Sequence, residues 1–262
     1  AQSRGESFGR ENRQSQNDHP KGQGLTPASA GITPAQRDMA QRIDAVLPQT
    51  QCTRCGYPDC AAYALAIARS EAGINQCPPG GAEGITRIAQ VTALPVLPLN
   101  PSFGVEAPRT VAVIDEAWCI GCTLCIAACP TDAILGSHKQ MHTVIESACT
   151  GCDLCLPVCP VDCIQMVTAS AEQTGWSAWS AAQADTARQR YALRQARLQQ
   201  AESARNDQAL AKAQSHLADL ESHTKAPEGP DKATELARKR KVIEAAIAAA
   251  AAKAKARQTG ET

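Results

Sequence analysis

Two copies of one cysteine pattern, thirty residues apart, constrain this chain more than any other feature of its sequence. In each copy, C-x2-C-x2-C-x3-C-P, three cysteines occupy one tight loop and a fourth stands just before a proline. The copies comprise Cys119, Cys122, Cys125 and Cys129, followed by Cys149, Cys152, Cys155 and Cys159. The same offset superposes Gly121 on Gly151 and Asp132 on Asp162. The segment is therefore an internal duplication of one ligand-binding unit.

The spacing of these cysteines is typical of a cubane iron-sulfur cluster. Three thiolates at short intervals reach three corners of a [4Fe-4S] cluster, and the fourth cysteine of such a pattern binds the other cluster. One cluster is expected on Cys119, Cys122, Cys125 and Cys159, and the other on Cys149, Cys152, Cys155 and Cys129. Gly121 and Gly151 are expected to let the backbone approach the cluster, where a Cβ atom would collide. Disulfides and zinc are the alternatives, but neither accounts for the repeated spacing.

A third group of four cysteines lies nearer the N-terminus, with the spacing C-x2-C-x4-C-x16-C. Its members are Cys52, Cys55, Cys60 and Cys77. Three cysteines in one loop and a fourth after one helix can surround a single cubane, with Gly56 and Pro58 shaping the loop. Zinc is the alternative, because four thiolates also suit a zinc ion. The sequence thus predicts three [4Fe-4S] clusters on twelve of the thirteen cysteines.

Several other side chains near the duplication are explained by packing. Cys163 aligns with Ala133 in the duplication, which predicts a small buried side chain beside a cluster rather than a spare ligand. His138 and His142 lie between the copies and are expected to be surface or packing residues, because each cubane already has four thiolates. Trp118 directly precedes the first copy and is expected to shield a cluster from water.

Changes in composition divide the chain into five parts. The first is polar, which predicts disorder, and the third contains four prolines, which predict a linker or a wrapping extended segment. The last is rich in alanine and charged residues, which predicts exposed helices. The parts are a disordered tail (1–33), a helical 4Fe-4S domain (34–92), a proline-rich linker (93–110), a two-cluster ferredoxin-like domain (111–168) and a helical extension (169–262). The expected fold class is α+β.

Local signals place the elements around the cysteines. Thr33 followed by Pro34 predicts the N-cap and first residue of a helix that ends before Pro48. Further helices are predicted at 61–71, 85–91, 181–222 and 232–257, and strands at 111–114, 133–135, 143–145 and 164–167. The four strands are expected to form two small hairpins, one around each cysteine copy.

Charge is distributed unevenly along a chain whose formal net charge is zero. Residues 111–168 contain six acidic side chains and one basic one, whereas residues 232–257 contain eight basic and two acidic ones. A second hypothesis therefore makes the basic helix an attachment to nucleic acid or to an anionic membrane, with structural or sensing clusters. A solvated tail is favoured over such binding, since the helix has neither a large apolar face nor aromatic residues.

The sequence points to an electron carrier rather than to an enzyme acting on a substrate. It contains no glycine-rich nucleotide loop and no recognisable pair of nucleophile and base. So many thiolates are expected in a reducing compartment, most simply the cytoplasm. The sequence contains no run of about eighteen apolar residues, so no transmembrane helix is predicted. Residues 1–33 also lack the apolar middle of a signal peptide.

With all three motifs in place, the chain resembles RnfB, the iron-sulfur B component of the Rnf/Rsx electron transport complex. The resemblance covers about residues 34–168 and is carried by LPQTQCTRCGYPDC, NQCPPGG, CIGCTLCIAACPTDAI, KQMHTVIESACTGCDLC and CPVDCI. It implies a helical [4Fe-4S] domain before a two-cluster ferredoxin domain, with the twelve cysteines as ligands. It also implies a relay of single electrons to other redox proteins and membrane subunits, on the cytoplasmic face of the inner membrane. A soluble ferredoxin with another redox partner is the alternative, because the family's apolar N-terminal anchor is not found here.

Overall fold

The computed structural model describes residues 31–220, 222 and 230–259. Most of the predicted disordered tail, and most of the break expected between the last two helices, lie outside the described residues. The described helices are α1 (Pro34–Ala45), α2 (Cys60–Ala68), α3 (Gly81–Thr92), α4 (Leu124–Ala128), α5 (Ala181–Ala218) and α6 (Pro230–Thr259). The described strands are β1 (Thr110–Ile114), β2 (Ile134–Leu135), β3 (Thr143–Val144) and β4 (Ile164–Thr168). This combination confirms the α+β fold class.

Helices α1, α2 and α3 pack around one apolar core, called here the helical unit (residues 34–92). The helix α1 begins as predicted: the Gln36 amide donates to the Thr33 hydroxyl at 3.2 Å, and the Thr33 amide donates to the Gln36 side chain at 3.0 Å. This reciprocal pair satisfies two amides that the first helical turn would otherwise leave unpaired. The largest apolar side chains of the core, each at most 1% exposed, are Ile43, Leu47, Tyr63, Ile85 and Ile88.

The four strands form two separate antiparallel ladders in the ferredoxin-like unit (residues 110–168). The ladder of β1 and β4 aligns Thr110 with Thr168, and the ladder of β2 and β3 aligns Ile134 with Val144. The predicted hairpins joined the two strands on either side of each cysteine copy, and both pairings are wrong, because β1 pairs with β4 and β2 pairs with β3. Strand β1 precedes the first cysteine copy and β4 follows the second, so their pairing closes the two copies against each other.

The proline-rich segment 93–110 wraps the helical unit. The Asn75 side-chain amide donates to the Pro98 carbonyl oxygen at 2.8 Å, and the Asn100 amide donates to the Asn75 carbonyl oxygen at 2.9 Å. At the start of α3, the Glu106 carboxylate accepts from the Ala82 amide at 2.9 Å. Of the two alternatives expected for this segment, the structure has the wrapping one.

The first half of α5 is packed against the rest of the molecule. The preceding Trp176 and Trp179 are 9% and 5% exposed, and Ala184 and Ala187 are 2% and 3% exposed. The C-terminal helices are confirmed, but the expectation that α5 is exposed from its start is wrong. Alanine suits both situations, because its small side chain lets a helix approach its neighbour closely and also tolerates water.

The helix α6 remains exposed, since none of its described side chains is buried. It packs beside α5. In the described part of the chain, no helix combines the length and apolar character that crossing a bilayer requires.

Candidate metal centres

Four buried cysteines face one another beside the core of the helical unit. We call Cys52, Cys55, Cys60 and Cys77 the N-terminal site; each of them is 8–9% exposed. The Asp59 carboxylate caps α2 by accepting from the Ala62 amide at 2.7 Å, which makes Cys60 the first residue of that helix. Burial and then the charges of neighbouring thiols raise the pKa of Cys60. The same causes raise the pKa of Cys55 to about 11.

Two buried glutamines hold the loop of the N-terminal site to the end of α1. The Gln49 side-chain amide donates to the carbonyl and carboxylate oxygens of Asp44 at 2.7 and 2.8 Å. The Gln51 side chain donates to that of Gln49 at 2.8 Å and accepts from the Cys60 amide at 3.0 Å. Sequence reasoning missed this chain of hydrogen bonds, although two glutamines within the three residues before Cys52 were a usable signal.

The crosswise set of cysteines from the second copy also converges. We call Cys149, Cys152, Cys155 and Cys129 the second ferredoxin site; all four line one cavity in the ferredoxin-like unit. Burial and then the charges of neighbouring thiols, Cys129 among them, raise the pKa values of Cys152 and Cys155 to about 12. Backbone amides point at two of the sulfurs, from Ala112 to Cys149 at 3.4 Å and from Ala133 to Cys129 at 3.2 Å.

Of the remaining four cysteines, Cys119, Cys122 and Cys125 lie close together, and Cys163 lies between Cys159 and Cys119. We call Cys119, Cys122, Cys125 and Cys159 the first ferredoxin site. The Cys159 and Cys163 sulfurs are 3.5 Å apart, and burial followed by the charges of Cys159 and then Cys119 raises the pKa of Cys163 to about 12. Cys163 therefore lies beside both Cys159 and Cys119. It is 7% exposed, the small buried position that the duplication predicts.

The duplication extends to the backbone, where Gly121 and Gly151 both have φ of +68°. A Cβ atom on Gly121 would lie 2.4 Å from the Gln140 nitrogen, and one on Gly151 would lie 2.4 Å from the Thr110 oxygen. From the sequence, these glycines are expected to make room for a cluster. The structure gives another reason, since each glycine makes room for a facing backbone segment.

The other side chains singled out near the duplication divide between core and surface. His138 is exposed, whereas His142 is 1% exposed and its Nδ1 atom lies 3.3 Å from the Cys125 sulfur. The packing role expected of His142 thus includes a hydrogen bond that sequence reasoning missed. Trp118 is 69% exposed, and its expected role in shielding a cluster from water stays a prediction.

The donor sets of the three sites fit an iron-sulfur group. Each set consists of four cysteine thiols, which are the donors that hold the iron of a [4Fe-4S] cluster. Burial raises the pKa values of Cys55, Cys152 and Cys155, and a bound cationic metal group would favour their thiolate forms.

Two protein-family models match the units that carry these sites. One, described as "4Fe-4S dicluster domain", matches residues 112–166, and the other, described as "Putative Fe-S cluster", matches residues 47–79. Together the matched residues include all twelve cysteines of the three sites. The chain is therefore a 4Fe-4S protein.

Curated relatives agree with these models. A protein of Alkalilimnicola ehrlichii, named as the B component of an ion-translocating oxidoreductase complex, is 56% identical over 156 residues, which are 59% of this chain and 83% of that protein. The chain belongs to this RnfB family. Members from Azoarcus and Thiobacillus denitrificans are 62% and 58% identical over 128 and 107 residues, or 49% and 41% of this chain. The chain spans 70% of the Azoarcus protein and 57% of the Thiobacillus protein.

In this RnfB family member, the N-terminal site and the second ferredoxin site lie on loops that touch. The Thr150 hydroxyl donates to the Thr50 carbonyl oxygen at 2.9 Å in a buried contact. Three to four residues farther along each loop, Arg54 forms an ion pair with Asp153. The loop of the first ferredoxin site instead packs within its own unit, where Gly121 accepts from the Lys139 amide at 2.9 Å.

Beyond the residues that the family models match, α5 contacts the helical unit. Arg188 donates to a carboxylate oxygen of Asp44 at 3.2 Å and to its carbonyl oxygen at 3.1 Å. The Tyr191 hydroxyl donates to the Asp59 carboxylate at 3.0 Å. Burial and the negative charge of Asp59 raise the pKa of Tyr191 to about 12, so the phenol keeps the proton that it donates. Because Asp59 caps α2, α5 is joined to the frame of the N-terminal site.

The same helix contacts the ferredoxin-like unit. Arg190 donates to the carbonyl oxygens of Thr131 and Asp132 at 2.6 and 2.8 Å. Arg194, which is 8% exposed, pairs with the Asp132 carboxylate at 2.8 Å, and Arg197 donates to both oxygens of that carboxylate. Helix α5 thus bridges the two units that carry the cysteines.

Trp179 lies where the two units and the start of α5 meet. Its indole nitrogen donates to the Pro48 carbonyl oxygen at 2.8 Å. The Arg109 guanidinium lies 4.8 Å from the indole ring centre and donates to the Cys149 carbonyl oxygen at 2.9 Å. Sequence reasoning missed these contacts, although Ala184, Ala187, Tyr191 and Arg194 recur along a single helical face.

Proposed function

We propose that this RnfB family member relays single electrons through three [4Fe-4S] clusters, as part of an ion-translocating oxidoreductase complex. The contact between the N-terminal site and the second ferredoxin site carries the proposal. Each site alone would only store an electron, whereas touching loops place two redox groups within short reach of each other. The two ferredoxin sites are neighbours as well, because each takes its fourth cysteine from the other copy.

The proposed ligands are the cysteines of the three sites, in the crosswise arrangement expected from the sequence. Cys52, Cys55, Cys60 and Cys77 would hold one cluster, Cys119, Cys122, Cys125 and Cys159 a second, and Cys149, Cys152, Cys155 and Cys129 a third. Bound clusters of this type supply one-electron oxidation and reduction. The protein contributes thiolates to hold the iron, buried surroundings to exclude water, and amide donors to stabilise negative charge on sulfur.

The contacts between loops support one order of electron transfer. The N-terminal site meets the second ferredoxin site through Thr50 and Thr150 and through Arg54 and Asp153. The first ferredoxin site adjoins only the second in this arrangement of ligands. We therefore place the second ferredoxin site in the middle of the relay, with the other two sites at its ends.

The names of the relatives support the proposed setting of this relay. They are components of ion-translocating oxidoreductase complexes. By analogy, the partners of this chain would be other redox proteins and membrane subunits, met on the cytoplasmic face of the inner membrane. A chain without these partners would still carry electrons as a ferredoxin does.

Metal analysis of protein purified without oxygen tests the cofactors. We expect about twelve iron atoms and as many sulfides per chain, and no stoichiometric zinc. Replacing Cys60 by alanine should remove the electron paramagnetic resonance (EPR) signal of one cluster, whereas Cys163→Ala should keep all three. Colourless protein, zinc in place of iron, or loss of a cluster in the Cys163 variant would contradict the assignment.

A further inference from the structure

A buried histidine faces one of the cysteine sulfurs of the first ferredoxin site. His142 is 1% exposed, and its Nδ1 atom lies 3.3 Å from the Cys125 sulfur. Its other ring nitrogen, Nε2, is buried and has no hydrogen-bond partner among the described residues. The imidazole is therefore held by its contact with Cys125 and by packing.

The surroundings of the two ring nitrogens determine which of them carries the proton. A proton on Nε2 would leave a buried N–H group without an acceptor, and the Nδ1 lone pair would face an electron-rich sulfur. A proton on Nδ1 removes both problems, since it points at a thiolate. Nε2 is then an unpaired acceptor, which costs less than a buried N–H group without an acceptor. The neutral tautomer with Nδ1–H is thus the one that the surroundings favour.

The pocket for this ring is formed by a glycine. Gly136 has φ of +152°, and a Cβ atom at that position would lie 2.1 Å from the His142 ring carbon Cδ2. Any larger residue would push the imidazole away from Cys125. The backbone is therefore shaped around the ring, which fixes the direction of the Nδ1–H group.

The second ferredoxin site has no counterpart of this histidine. Cys125 corresponds to Cys155 in the duplication, and the residue thirty positions after His142 is Glu172. Glu172 is exposed and lies beyond the end of β4. The duplicated loops are alike in backbone, but the second copy has no histidine at the position that corresponds to His142.

We propose that His142 donates its Nδ1–H to the Cys125 thiolate and thereby raises the reduction potential of the cluster at the first ferredoxin site. The inference rests on the proposed function, because it requires a cluster at that site. Reduction adds negative charge that is shared with the ligand sulfurs, and a hydrogen bond to sulfur stabilises the more negative state. This contribution from His142 makes transfer from the second site to the first more favourable.

Redox titration followed by EPR tests this role. In His142→Phe, which keeps a ring but loses the donor, we expect one cluster to shift to lower potential while the other two stay unchanged. His142→Asn keeps an N–H donor near the Nδ1 position and should recover part of the shift. The exposed His138→Phe is the matched control and should leave all three potentials unchanged.

Unchanged potentials in His142→Phe with full iron content would overturn the inference. It would also be overturned if His142→Asn shifted the potential as far as His142→Phe does. Should the phenylalanine variant lose a cluster, the native protein gives the answer. Pulsed EPR of reduced protein with 15N-labelled histidine should show a nitrogen coupled to one cluster; absence of that coupling also overturns it. Missing iron in the native protein would instead refute the proposed function.

Discussion

Arg54 and Asp153 form an ion pair that joins the loop of the N-terminal site to the loop of the second ferredoxin site. Their side chains are 36% and 38% exposed, so water screens the pair and its contribution to stability is about 0–1 kcal/mol. Its importance is geometric, because electron transfer slows steeply as the distance between redox groups grows. The buried hydrogen bond between Thr50 and Thr150 acts in the same place.

Asp153→Asn should separate these two effects. Asparagine tolerates the positive φ of 63° at this position, so the change removes the charge without straining the loop. We expect the free energy of unfolding to fall by no more than about 1 kcal/mol, while electron transfer between the two sites slows. Rapid-mixing kinetics and magnetic coupling between the reduced clusters measure this. The exposed Glu146→Gln is the control, and equal rates in both variants would argue against a geometric role.

Arg194→Ala should loosen the packed half of α5. Its guanidinium is nearly buried and pairs with Asp132 at 2.8 Å, and a hydrogen bond to a charged group contributes about 1.5–3 kcal/mol. We expect faster amide hydrogen exchange in α5 up to residue 198, corresponding to a loss of about 2 kcal/mol. The exposed Arg205→Ala, farther along the same helix, should leave that exchange unchanged. Matching exchange in the two variants would contradict the docking of α5.

Tyr191 predicts a pH dependence of the same contact. Burial and Asp59 raise its pKa from 10 to about 12, so the folded state favours the neutral phenol. Its contribution to stability is complete below pH 10 and is lost as the pH rises through about 12. The difference in ultraviolet absorbance between the native protein and Tyr191→Phe should therefore titrate near pH 12. A midpoint near 10 would mean that the phenol is not held by Asp59.

Gly151→Ala should prevent the loop of the second ferredoxin site from closing. Its φ of +68° costs an L-residue about 1–2 kcal/mol, and the new Cβ atom would lie 2.4 Å from the Thr110 oxygen. We expect loss of a cluster, measured as iron content and EPR signal. Gly56→Ala is the control, because its φ is +86° but its Cβ atom would have a neighbour only at 3.7 Å. Gly56→Ala should therefore lose only the stability that the positive φ costs an alanine, and the N-terminal site should keep its cluster.

Much of the candidate site followed from the sequence because it depends on neighbours in the chain. Which three cysteines share a loop is set by their spacing, and the capping of α1 by Thr33 involves residues three apart. The grouping of Cys159 with the first copy is a prediction from the sequence as well, since a duplicated pattern carries its own rule for the fourth ligand. The pairing of β1 with β4 was missed because strand partners are not encoded locally.

The residues alone determined the kind of cofactor, since cysteine spacing fixes which metal group thiolates can reach. Only the tertiary structure decided how the sites are arranged and tuned. Thr50 and Thr150 lie 100 positions apart, and Pro48 and Trp179 lie 131 apart, and no local pattern brings such residues together. No local pattern predicts the contact of His142 with Cys125 or the packing of α5 against the two units either. A buried imidazole and an alanine-rich helix are each compatible with several surroundings, and packing selects one of them.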